Sequence, residues 1–65
     1  EIQLILQEAV SALPEKQQIV FNMKYFDHMK YHEISDILKT SVGGLKASYF
    51  HAVKKIENYM KNRKD

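Results

Sequence analysis

A chain of 65 residues makes at most one small domain, which buries only about 60% of the surface its unfolded form exposes. With no cysteine, neither a disulfide nor a thiolate-held zinc can staple it, so the core must come from the 45% apolar residues. The net charge of +2, apolar runs such as Ile19-Val20-Phe21 that stop far short of the roughly 20 residues of a membrane span, and a content of one proline and two glycines exclude a transmembrane or turn-rich β protein. A soluble, cytoplasmic, all-α monomer is expected.

Ile2, Ile5, Leu6, Ala9 and Leu13 recur at helical spacing and predict a first helix over about residues 1–12, with Gln3, Gln7 and Glu8 on a face open to a partner. Pro14 ends it and, followed by Glu15, opens a second helix over about 14–26. Val20, Met23 and either Tyr25 or Phe26 are expected to face its core, with Glu15, Lys16, Gln17, Gln18 and Lys24 in water. Asp27-His28-Met29-Lys30 makes a turn without glycine or proline.

Tyr31, Ile34, Ile37 and Leu38 form the stripe of a third helix over 31–38, and Lys39-Thr40-Ser41 interrupts it. Ser41 is a good N-cap, since its hydroxyl can accept a free backbone N–H of the next turn. The fourth helix, over about 42–60, is the most regular, with Val42, Leu45, Tyr49, Ala52, Ile56 and Tyr59 on its inner face. At about 100° per residue, the opposite face collects Gly43, Gly44, Lys46, Ala47, Phe50, His51 and Lys54. Two glycines, an alanine and an aromatic ring among cations are unlike an ordinary solvated face.

The charge is divided along the chain. Residues 1–38 hold three lysines against six acids, a net of −3, whereas residues 39–65 hold seven cations against two acids, a net of +5. The basic half suits a polyanion, although a solvated lysine-rich tail has the same composition. A short helix, a brief turn and a longer helix with a small-residue, cationic outer face are the parts of a helix-turn-helix, whose second helix enters the DNA major groove. In that arrangement Gly43 and Gly44 allow close approach, Lys46, Ala47, Phe50 and His51 reach base edges, and Lys54 and Lys55 reach phosphates.

Leu13-Pro14-Glu15-Lys16-Gln17-Gln18-Ile19-Val20-Phe21, Tyr25-Phe26-Asp27, the run Tyr31-His32-Glu33-Ile34-Ser35-Asp36-Ile37-Leu38 and Ser41-Val42-Gly43-Gly44-Leu45-Lys46-Ala47-Ser48 together resemble region four of bacterial sigma factors of the extracytoplasmic-function group. The resemblance runs without a gap from about Ile5 to Lys55. It implies a four-helix domain with a C-terminal helix-turn-helix that binds the minus-35 promoter element through its last helix and packs its earlier helices on the flap of RNA polymerase. An anti-sigma factor is a further partner it implies.

By the same resemblance, Lys46 matches the basic residue opening the recognition face, Ala47, Phe50 and His51 match positions that touch bases, and Thr40 and Ser41 match a turn beside a phosphate. The chain departs from the family pattern at His28 and Lys39, where glycine is frequent, at Lys30, where a serine cap is frequent, and at Ser48, where arginine is frequent. Such sigma factors carry a separate domain for the minus-10 element, which nothing here resembles, so the single domain of residues 1–65 is expected to be part of a longer protein.

Two other readings remain open at this level. One is the DNA-binding domain of a response-regulator-type activator, against which Tyr31-His32-Glu33-Ile34-Ser35 is a poor fit; the other is a helical protein-interaction domain. His28 and His32 straddle a turn and lack the spacing of a metal site, and no nucleophile has a base and orienting acid at recognisable spacing. No metal, cofactor or catalytic activity is expected.

Overall fold

The computed structural model describes residues 2–62, and the side chain of Ile2 is also outside that description. The burial expected of Ile2, and the charges of Arg63, Lys64 and Asp65, therefore lie outside the described residues. The architecture is all-α, with α1 over Ile2–Ser11, α2 over Glu15–Phe21, α3 over Tyr31–Leu38 and α4 over Val42–Asn62. A π-helical turn, Asn22–Phe26, continues α2 without a break. Its wide ring is visible in the bond from the Asp27 N–H to the Asn22 carbonyl, 3.1 Å and five residues apart.

The chain builds its core in two clusters on either side of the α2–α4 contact. Ala9, Val10, Leu13, Phe21, Ala52 and Ile56 gather under α1, while Val20, Ile34 and Leu45 gather under α3. Tyr49 of α4 packs against both. Val20, Ile34 and Leu45 lose all access to solvent, so the second cluster is a tightly closed junction of α2, α3 and α4. The 21 residues of α4 extend about 30 Å at 1.5 Å per residue and account for the long dimension of a 40 × 18 × 15 Å molecule.

Several expectations for α2 and α3 are corrected. The buried aromatic is Phe21, and both Tyr25 and Phe26 are nearly half exposed. Phe21 stacks between Tyr25, 5.0 Å away, and Tyr49, 5.6 Å away, and Phe26 meets its edge at 6.0 Å. The π turn supplies the reason, because its extra residue per turn swings Tyr25 and Phe26 off the inner stripe that a regular helix would continue. Ile37 is 56% exposed, since the short α3 turns only Ile34, Tyr31 and Leu38 toward α2 and α4.

Gln17, Gln18 and Lys24 are half-buried instead of fully in water. The Gln18 side-chain amide donates to the Val10 carbonyl at 2.8 Å and ties α2 to the end of α1. Lys24 Nζ donates to the Met29 carbonyl at 3.3 Å. Gln17 Oε1 is buried with no hydrogen-bond partner among the described residues.

His28 and Lys39, two of the positions where the family pattern favours glycine, are the residues that take a left-handed backbone, with φ of 57° and 56°. Each lets the chain reverse after a helix, a conformation glycine adopts without the penalty of a Cβ. Lys30, at the position of the frequent serine, begins α3 with half of a capping box: its backbone N–H donates to the Glu33 carboxylate at 2.8 Å, but its side chain has no acceptor to return the bond.

Candidate nucleic-acid interface

α3 ends at Lys39, whose N–H bonds the Ser35 carbonyl at 2.8 Å, and its left-handed φ turns the chain into Thr40 and Ser41. Thr40 Oγ1 donates to the Leu38 carbonyl at 3.3 Å, closing the turn. Ser41 Oγ then accepts the Gly44 N–H at 3.1 Å, the cap read from the sequence, and the Ser41 carbonyl takes the first helical bond from Leu45 at 3.0 Å. Leu45 drops into the α2–α3 junction at the next position, so cap and buried anchor together fix the angle at which α4 leaves the turn.

The two glycines do different work. A Cβ on Gly43 would meet nothing within 4 Å, so that position is an open, exposed stretch of backbone. A Cβ on Gly44 would lie 3.2 Å from Ser41 Oγ and 3.3 Å from Thr40 Cγ2, so the absence of a side chain there makes room for the turn itself. This packing role of Gly44 has no signature in helical periodicity, which places it on the outer face with Gly43.

Gly43, Lys46, Ala47, Phe50, His51 and Lys54 are all exposed along one side of α4. Phe50 is 59% exposed, the largest value among the large apolar side chains of the described residues, and its ring meets the His51 imidazole edge-on at 5.8 Å. Lys54 Nζ lies 5.9 Å from the centre of the same ring and 4.0 Å from Glu57. That ion pair is well exposed and contributes little to stability. Lys55 is also exposed but flanks this strip, on the side of Asn58, Tyr59 and Asn62. Thr40 is half-buried, and Ser41 is exposed with its oxygen already used by the cap.

Lys46 stands at the margin of the outer strip, and its ammonium is 5.7 Å from the ring centre of Tyr31, the first residue of α3. Lys24 Nζ approaches the same ring to 4.5 Å. Sequence periodicity identifies Tyr31 only as part of the apolar stripe of α3, and its contact with two cations from two other elements depends on the tertiary packing. Tyr49 has its phenol pKa raised, first by burial and then by the nearby Tyr31 and Tyr25 hydroxyls. Among the described residues, no group of three or more His, Asp or Glu side chains converges as metal ligands do, and no helix is long and apolar enough to cross a membrane.

A short helix, a three-residue turn entered through the left-handed Lys39 and a long helix with an open, cationic and aromatic outer side define a helix-turn-helix DNA-binding protein. The family described as sigma-70, region 4, matches residues 3–56, and the chain belongs to it. It is therefore a sigma-factor domain of the kind that binds DNA at the minus-35 promoter element. Comparison with curated proteins and with solved structures returns no significant match.

Proposed function

We propose that this chain is the minus-35 recognition domain of a sigma factor of the extracytoplasmic-function group, with α4 in the major groove and the earlier helices on the flap of RNA polymerase. The observation that carries the reading is the exposed strip of α4, where Gly43, Lys46, Ala47, Phe50, His51 and Lys54 follow one another on a helix held by a capped turn. Lys46 and His51 meet base edges, Phe50 touches a thymine methyl, and Gly43 lets the backbone come close. Lys54 and Lys55 hold phosphates further along, and Thr40, Ser41 and Gly44 belong to the turn that rests beside the backbone.

Polymerase docking by α1–α3 is supported by the division of charge and by the exposure of Tyr25 and Phe26, 48% and 46%. An acidic half cannot favourably face DNA, and paired exposed aromatics suit a protein partner. A monomeric, cytoplasmic domain over residues 1–65, with an anti-sigma factor as a further partner, completes the reading. Selection of bound sequences from a random duplex pool, run with and without an RNA polymerase flap fragment, tests it. One enriched motif that sharpens with the flap is expected. Enrichment of no motif, or NMR shifts caused by the flap mainly at Lys46, Phe50 and Lys54, would overturn it.

A further inference from the structure

Helix geometry alone does not aim Lys46. It follows buried Leu45 by one residue, about 100° around α4, and so leaves the helix at the boundary between the inner and outer sides, whereas Phe50 and Lys54 point more squarely outward. Its four-carbon stem is free to sweep through many rotamers. The Tyr31 ring lies beneath its ammonium, at 5.7 Å.

Tyr31 is itself well anchored. It packs on the Val20, Ile34 and Leu45 cluster, and Lys24 Nζ sits 4.5 Å from the ring while donating to the Met29 carbonyl at 3.3 Å. Two ammonium groups attracted to one ring repel each other, so the half-buried Lys24 holds the nearer place and the exposed Lys46 stays at the ring's outer margin.

We propose that Tyr31 is a positioning residue for sequence reading by α4: its ring, shared with Lys24, holds the Lys46 ammonium where the start of α3 meets α4 and so limits the directions its stem can take. This rests on the reading of α4 as the base-reading helix. The contact restricts Lys46 before DNA arrives, so that less rotamer freedom is lost on binding, and the gain falls on the preferred duplex, where Lys46 has a base to meet.

The test uses the whole chain on two probes, the duplex enriched by the wild type from a random pool and a scrambled duplex of equal composition. The readouts are the ratio of the two affinities and, in the free protein, NOEs between the Lys46 ε-methylene and the Tyr31 ring. Tyr31→Leu should lower the ratio about two- to five-fold and Tyr31→Phe should restore it. Tyr31→Met, which refills most of the volume, replaces the leucine variant should that one fail to fold. A wild-type chain without the NOEs, or a folded ring-less variant that keeps the full ratio, overturns the proposal. Lys46→Ala separates the two levels of failure. If it too leaves the ratio unchanged, the reading of α4 falls; if it lowers the ratio while Tyr31→Leu does not, only the positioning role falls.

Discussion

The adjacent glycines at the start of α4 allow a paired experiment in which stability and DNA binding should move in opposite directions. Replacing a helical glycine with alanine stabilises by up to about 1 kcal/mol through propensity alone. Gly43→Ala should realise most of that gain, because its new methyl meets nothing within 4 Å, and for a domain of this size a gain of about 1 kcal/mol raises Tm by about 4–8 °C. Gly44→Ala should not. Its methyl would press on Ser41 Oγ at 3.2 Å and Thr40 Cγ2 at 3.3 Å, and moving the hydroxyl strains the 3.1 Å cap to the Gly44 N–H, a bond of a kind worth about 1 kcal/mol. Gain and cost then cancel, leaving Gly43→Ala the more stable by about 1 kcal/mol. On DNA, the Gly43 methyl projects into the space assigned to the duplex, so this more stable protein should bind every duplex more weakly. Thermal melts followed by circular dichroism, with anisotropy titrations of a selected duplex, give both quantities. Equal Tm gains for the two variants would refute the turn-packing argument, and unchanged affinity in Gly43→Ala would refute close approach at that residue.

Other outcomes follow from the same geometry. Lys39→Gly and His28→Gly should each stabilise by roughly 0.5–1 kcal/mol, since relief of the left-handed backbone at φ near 56° and 57° exceeds the extra chain entropy of glycine; a lower Tm in both would contradict this. Ile34→Val removes one methyl from a fully buried site and should cost about 0.5–1.5 kcal/mol in a denaturant titration, against almost nothing for Ile37→Val at a 56% exposed one. Lys46→Ala should cost on the order of 1–3 kcal/mol on the preferred duplex and less on scrambled DNA, whereas Lys54→Ala should weaken both alike and reduce the salt slope by about one; the reverse pattern would mean that α4 docks rotated. The Tyr49 phenol has a raised pKa in the folded chain, so its contribution is fully present below pH 10, the ordinary tyrosine value, and is lost as pH rises from there through the folded value. Part of the stability loss above pH 10 should therefore disappear in Tyr49→Phe, and an identical alkaline profile would refute the assignment.

What was legible in the sequence was whatever local chemistry decides. The Ser41 hydroxyl caps α4 where its type and position imply, α3 spans the residues its stripe implies, and Leu45, Ala52 and Ile56 are buried at the expected spacing. These features depend on one periodicity or one hydrogen bond within a turn of chain. The errors cluster where periodicity changes or where distant elements compete for one position. A single π turn re-aimed Tyr25 and Phe26 and left Phe21 as the buried ring, and nothing in the side-chain types around Asn22 announces the extra residue per turn. Gln18 is drawn out of water by the Val10 carbonyl eight residues earlier, and Gly44 is constrained by side chains of the turn before it. The candidate interface divides in the same way. Its exposed strip is a property of one helix and can be listed from spacing, whereas the direction of Lys46 depends on a ring from α3 and a competing cation from the end of α2. A helix-turn-helix thus declares from sequence which residues share the exposed side of its second helix, and leaves to packing how firmly each one is held there.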